Sequence, residues 1–487
     1  MILVLPLIVV FLFILYYYLT WPYDYWKKQG MEYAKTIVPG FGNTLPMLLF
    51  RENLNFISDR IYRNCSPNAS MIGMFHLRTP TLIVRDPELV QKVLVTKFAA
   101  FENNLVYLDE HRDEFLSKNP FFAVGETWKN SRKLVISGMS QKKLKLILQF
   151  MQRVSVCFDE HFDRINHSEI ELRDMCYRLI CEIIFQVGFG IKPEGNFDVM
   201  INKMFESTWF RAIRQLLNFF LRSSAKVTGI SFMPIESQRF FKYLSKNIIE
   251  NYKMEKERNY GDLLHMIIEN FEDVNDVNEN MVLSILSSVL FNGFDTVTNV
   301  AINVLYRLAW NQRIQDNLRK EILDTLDSCN GELTYESIKE MSYIDNVINE
   351  TLRLNPILEI NAKICTTTTT LEGSDGQKCT LQPGNIVIIP TKSLHKDEKY
   401  WDNPHVFNPD RFNKNEVTKF VFLPFGKGPR MCPGMRFGLL EIKVLLISVL
   451  QKFKIKTTDK TVTSLEMDQR SFLPAVKGKI LVQLEKI

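Results

Sequence analysis

One cysteine stands in a stretch built for close approach, Phe425-Gly426-Lys427-Gly428-Pro429-Arg430-Met431-Cys432-Pro433-Gly434. Its glycines allow a tight backbone bend and let another group come near. Pro433 suits the first turn of a helix, where a missing N–H costs nothing. Cys432 is therefore expected at or near the N-terminus of a helix running to Gln451. There the positive end of the helix dipole and free backbone N–H groups favour a thiolate over a thiol. Such a thiolate can serve as a nucleophile, a redox thiol or a metal ligand; the plain alternative is a structural loop cysteine. Two other pairs have spacings that matter. Trp128 and Arg132 share one face of a helix, and an indole N–H beside a guanidinium suits an anionic group. Glu350 and Arg353 face one another at i and i+3, an arrangement worth little on a surface.

The elements that must position these residues can be read from periodicity. Residues 281–310 form the longest apolar run, with only Asp295 and Arg307 charged. As a helix it would measure about 45 Å, enough to cross a whole domain. Asn292, Asp295, Asn299 and Asn303 near its middle argue for a buried central helix over a second membrane span. Residues 2–22 carry no charge and are long enough to span a bilayer. Tyr16, Tyr17, Tyr18 and Trp21 would form an interfacial belt, followed by Lys27 and Lys28. A cleavable signal peptide would need a basic start and a small-residue cleavage site, and neither is present. Residues 70–84 read as a hairpin ending at the Asp86-Pro87 turn, with a helix from Pro87. Residues 150–271 read mainly as amphipathic helices, with Trp209, Phe210, Phe219, Phe220, Phe232, Phe240 and Phe241 mostly in the core. A polar break at 273–280, a helix over 343–354 ended by Pro356, and strand-like segments at 363–371 and 385–390 complete the outline.

Bulk composition narrows the class. A chain of 487 residues that is 46% hydrophobic and 24% charged can bury a large core. A net charge of +5 is too mild for a nucleic-acid binder. The 8 cysteines are scattered, with no CxxC pair and no histidine cluster, which argues against a zinc site or a disulfide scaffold. Free thiols in a reducing compartment are the simpler reading.

From Phe425 to Gly434 the pattern Phe-x-x-Gly-x-Arg-x-Cys-x-Gly resembles the haem-binding loop of the cytochrome P450 family. The resemblance implies that Cys432 is the axial thiolate of a haem iron, a ligand that favours O–O cleavage. It also implies that Phe425 packs on the proximal haem face and that Arg430, Trp128 and Arg132 hold the propionates. Lys363 stands where the family has an arginine reaching a propionate; it keeps the charge but loses the bidentate fork. Gly293-Phe294-Asp295-Thr296 resembles the oxygen-activation motif, with Gly293 leaving room beside the haem and Asp295 and Thr296 delivering protons. Asn292 departs from the usual Ala or Gly and would sit near the distal haem face. The family buries its Glu-x-x-Arg pair, here Glu350 and Arg353, and completes it with a downstream arginine, here Arg411. By resemblance, residues 357–362 and 472–475 border the substrate pocket, and 205–241 cap it and can dip into a membrane. Lys129, Lys133, Lys142, Lys143 and Lys145 are either a solvated face or a docking surface for an acidic redox partner. The family's Pro-rich hinge is reduced to Val38-Pro39-Gly40.

The fold so implied is mainly α with a smaller β region, a cytochrome P450 fold behind an N-terminal transmembrane helix. Residues 1–22 would be the membrane anchor, 23–43 a linker and 44–487 a haem-thiolate monooxygenase domain. The implied reaction inserts one oxygen atom of O2 into an apolar small molecule. Its cofactor would be haem b, with electrons from NADPH through NADPH-cytochrome P450 reductase and cytochrome b5 as a second donor. The implied place is the endoplasmic reticulum membrane, catalytic domain on the cytosolic side, as in the animal microsomal branch that handles hormones, toxins and xenobiotics. Two alternatives stand beside it: a haem-thiolate isomerase or dehydratase of peroxides, suggested by Asn292, and a non-enzymatic haem ligand-binding protein.

Overall fold

The computed structural model describes residues 4–106, 108, 110–162, 169–192, 213–214, 231–254, 262–268, 279–413, 417–468 and 476–487. The chain divides into two compact units. The first comprises Met1–Val106, Leu358–His405 and Val417–Met431. The second comprises Tyr107–Ile357, Val406–Glu416 and Cys432–Ile487.

The first unit begins with the helix Val4–Thr20, whose residues 4–18 are all exposed. It continues through short turns to Lys28 as a 25-residue apolar segment long enough to cross a membrane. The chain after it is packed rather than loose. Trp26 is fully buried, donates its indole N–H to the Met74 carbonyl at 2.8 Å, and lies where a side chain at Gly73 would collide with its ring at 2.5 Å. Both belong to a five-stranded sheet in the order Met71–His76, Thr79–Val84, Ile386–Ile389, Asn361–Ile364, Asn103–Asn104. Thr79–Val84 and Ile386–Ile389 run parallel; the other neighbours are antiparallel. The expected hairpin pairs Met71 with Val84 and His76 with Thr79. Its first strand is buried along its whole length, so it carries a continuous apolar run instead of an alternating one.

The second unit is helical, with one antiparallel sheet in the order Glu169–Glu171, Leu481–Lys486, Phe453–Lys456. The short strand Glu169–Glu171 interrupts a region read from sequence as mainly helix, because its edge is claimed by Leu481–Lys486. The helix Leu172–Phe189 follows at once, capped by the Glu171 carboxylate on the Asp174 N–H and closed by Gly190 in the left-handed conformation. The run 281–310 forms the axis. It is α-helical over Glu279–Ser287, π-helical over Ser288–Phe294 and α-helical again over Asp295–Trp310. Its most apolar stretch is 72% buried inside the protein, which rules out a second membrane span. Around it pack Leu172–Phe189, Ser342–Leu354 and Met435–Leu450.

Glu350 and Arg353 are both fully buried. Arg353 clamps the carboxylate with Nε and Nη2 at 2.7 and 2.8 Å. Arg411 adds a contact at 3.1 Å, and the Asn408 backbone N–H a fourth at 2.9 Å. A carboxylate shared by two guanidiniums and an amide is satisfied; removing it strands the cations. Glu350→Ala is expected to lower the unfolding free energy by about 3–5 kcal/mol. Denaturant unfolding checks this, and a loss below about 1 kcal/mol, the value of a surface pair, contradicts it.

Candidate active site

Cys432 lies two residues before Gly434, the N-cap of the helix Met435–Leu450. Pro433 thus precedes the cap instead of occupying the first turn. Cys432 is accessible at the surface although many protein atoms surround it. That burial pushes the thiol up, while the Gly434 N–H and the Arg132 guanidinium pull it back. A bound metal ion deprotonates a coordinating thiol outright.

Trp128 and Arg132 lie on the helix Gly125–Ser137, four residues apart as expected, with Trp128 buried. Burial pushes the Arg132 guanidinium down from its ordinary value and the nearby Cys432 opposes that shift. The second unit therefore gathers thiol, guanidinium and indole.

Asp295 and Thr296 open the α-helical part of the central helix. The Thr296 hydroxyl donates back to the Asn292 carbonyl. Asn299 donates its amide to the Asp295 carbonyl at 2.7 Å and to its carboxylate at 3.1 Å, which fixes the acid in place. Gly438, one turn into the helix behind Cys432, packs on Val297: a side chain there would meet Val297 Cγ2 at 3.4 Å. The helix that carries the sulfur thus touches the central helix one residue beyond Thr296. Two positions differ from expectation. A side chain at Gly293 would meet Ile184 of Leu172–Phe189 at 3.3 Å, so this glycine serves helix packing. The Asn292 amide is turned to Asn119, with Nδ2 at 3.0 Å from Oδ1.

Phe425, Arg430 and Lys363 belong to the first unit. The loop is shaped by two glycines with positive φ. At Gly428 a side chain would come within 2.0 Å of the Leu94 carbonyl, and at Gly426 φ is 67°. Just upstream, the fully buried His395 accepts the Leu423 N–H at 2.8 Å. Neither His395 nor Asn119 was picked out from sequence; a lone histidine and a loop asparagine carry no spacing signal. Lys363 is buried, donates to Asn104 Oδ1 at 2.5 Å, and is pushed down to about 7 by burial and by the Arg430 charge. Of the aromatic cap, Trp209, Phe210, Phe219 and Phe220 lie outside the described residues, as do Phe472–Ala475 and most of the break at 273–280. Within them, Phe241 stacks on Phe115 at 4.8 Å, and Phe232 packs against Phe122 at 5.5 Å.

Each unit carries groups suited to part of an iron porphyrin. In the second the Cys432 sulfur can bind a metal, and in the first the buried Lys363 beside Arg430 suits a carboxylate. A family model, that of cytochrome P450, matches residues 39–482. The chain belongs to the cytochrome P450 family. Among similar proteins, "Probable cytochrome P450 28d1" of Drosophila melanogaster is 31% identical, over 96% of this chain and 95% of that protein. "Probable cytochrome P450 28d2" of the same organism is 28% identical over 96% of each. "Cytochrome P450 6B7" of Helicoverpa armigera is 29% identical, over 96% of this chain and 95% of its own length. This P450 is accordingly a mainly helical haem-thiolate monooxygenase, an oxidoreductase that takes electrons from a redox partner and acts on a small molecule.

Lys363 gives the P450 a pH signature. The unfolded chain keeps that proton up to about 10.5, whereas the folded chain releases it near 7. Between those values the unfolded state binds more protons, so the stability of the haem-free chain should rise with pH. Denaturant midpoints measured across that window check this; Lys363→Met should flatten the rise, and an unchanged slope contradicts it.

Proposed function

We propose that this P450 inserts one oxygen atom into an apolar small molecule, drawing NADPH electrons from NADPH-cytochrome P450 reductase, with cytochrome b5 as a second donor. Cys432 would be the iron ligand and Phe425 would pack against the haem, with Trp128, Arg132, Arg430 and Lys363 holding its propionates. The observation that carries this reading is the contact of Gly438 with Val297, which sets the helix behind the sulfur against the helix bearing the acid–alcohol pair. When bound, the haem supplies the iron at which dioxygen is activated. The chain's own residues manage the protons. Thr296 holds a hydroxyl proton on the Asn292 carbonyl, ready to turn outward. Asp295, steadied by Asn299, can resupply it. Phe291, Phe294 and Val297, all buried, keep water from flooding the same helix face.

Residues 1–22 act as the membrane anchor, 23–43 as the linker and 44–487 as the catalytic domain, on the cytosolic side of the endoplasmic reticulum. The exposed helix Val4–Thr20 supports the anchor. The peroxide isomerase or dehydratase reading rested on Asn292, whose amide is already bonded to Asn119. Lys133 and Lys142 are exposed, which supports a docking face for the reductase. Lys129 pairs with Glu126, and Lys145 with Glu336.

Cys432→Ala should abolish the thiolate-type absorption band of the reduced carbon monoxide complex; its retention refutes the ligand assignment. With 7-ethoxycoumarin as reporter, product should form only with NADPH and reductase, and NADPH-independent turnover would sink the monooxygenase reading. The double change Lys133→Ala, Lys142→Ala should slow reductase-driven turnover at low salt and lose its effect at high salt. An equal rate at both removes the docking face.

A further inference from the structure

We propose that Asn119 is a positioning residue for proton delivery: its side chain clamps the π-helical turn Ser288–Phe294 at the residue before it and at Asn292 within it, and so fixes the Asn292 carbonyl on which the Thr296 hydroxyl rests. This rests on the proton-delivery role given above to Thr296. π-helical turns are rare and short, so one that persists inside a long α-helix needs support from outside.

Asn119 is fully buried. Its amide donates to the Ser287 carbonyl at 2.8 Å, immediately before the turn. Its Oδ1 accepts the Asn292 side-chain amide at 3.0 Å, five residues further along. The same oxygen accepts the Phe121 N–H at 2.8 Å, and the Asn119 carbonyl takes the Phe122 and Ala123 N–H groups at 3.0 and 2.8 Å. The clamp is therefore anchored in its own loop. Phe122 packs on Phe291 at 5.6 Å beside it, so the bonds lie among aromatic rings, where an amide left unsatisfied is costly. A primary amide is the group suited to this place: one end must donate to a carbonyl while the other accepts from an amide. Asn292 closes the arrangement with both of its polar functions, its side chain to Asn119 and its carbonyl to Thr296. If the clamp opens, the turn can relax toward α-helical register, and the acceptor that aims Thr296 moves with it.

The test compares Asn119→Ala, Asn292→Ala, their combination and Thr296→Ala in the full-length holoenzyme. Hydrogen exchange of peptides covering 284–296 is the first readout. Asn292→Ala, which removes one buried hydrogen bond, should exchange there about fivefold faster; Asn119→Ala, which removes both, should exchange faster still, and the double variant should match Asn119→Ala. The second readout is hydrogen peroxide released per NADPH oxidised, with reductase and 7-ethoxycoumarin. A merely structural loss lowers product and NADPH use together; the clamp variants should instead raise the peroxide share, as Thr296→Ala is expected to. Unchanged exchange in both single variants, or effects that multiply in the double, overturns the clamp. If Asn119→Ala does not fold, Asn292→Ala carries the same test, since the Ser287 and Phe121 bonds of Asn119 are retained. A Thr296→Ala enzyme with unaltered peroxide share would refute the proton-delivery role itself, while the exchange measurement still decides the clamp.

Discussion

A helix can run through a protein core with amides, a carboxylate and hydroxyls on it only if each finds a partner there. The central helix of this P450 meets that constraint mostly within itself. Thr296, Thr298, Asn299 and Asn303 each bond back to a carbonyl four residues earlier. Back-bonding of this kind loosens a helix locally and leaves polar atoms displaced from the regular ladder. Here it follows directly on a π turn, so the polar groups of the site are concentrated where the helix departs most from regularity. Outside help enters through Asn119 and through the close contact of Gly438 with Val297. The geometry of Asp295 and Thr296 is thus a consequence of how the core satisfies its polar atoms.

The charged groups follow the same logic of burial with compensation. Glu350 is covered by two guanidiniums and a backbone amide, a complete set that holds 406–411 against the helix Ser342–Leu354. Lys363 is a different case, a buried lysine pushed down by burial and by the nearby Arg430 charge. Cys432 is intermediate, a thiol raised by burial and lowered by Arg132 and the Gly434 N–H. The Glu350 cluster is self-sufficient.

Much of this was readable from sequence wherever the signal was local. The 70–84 hairpin, the apolar run 281–310 and the helix of Glu350 and Arg353 depend on spacing along the chain, and each formed close to its expected place. The cysteine loop was readable because glycine, arginine and cysteine stand at fixed intervals. What escaped depends on partners far apart in sequence. Asn119 gains its meaning from Asn292, and His395 from Leu423. The packing of Gly293 on Ile184, from a helix more than a hundred residues earlier, was likewise out of reach of local pattern. The strand Glu169–Glu171 exists because Leu481–Lys486 offers it an edge, which no local pattern announces.

All of the proposed chemistry depends on which atom holds the iron. X-ray absorption at the iron edge of the purified holoprotein measures that directly. A single sulfur neighbour, lost on replacing Cys432 by serine, is the predicted result. An iron surrounded only by nitrogen and oxygen in the unaltered protein would contradict it.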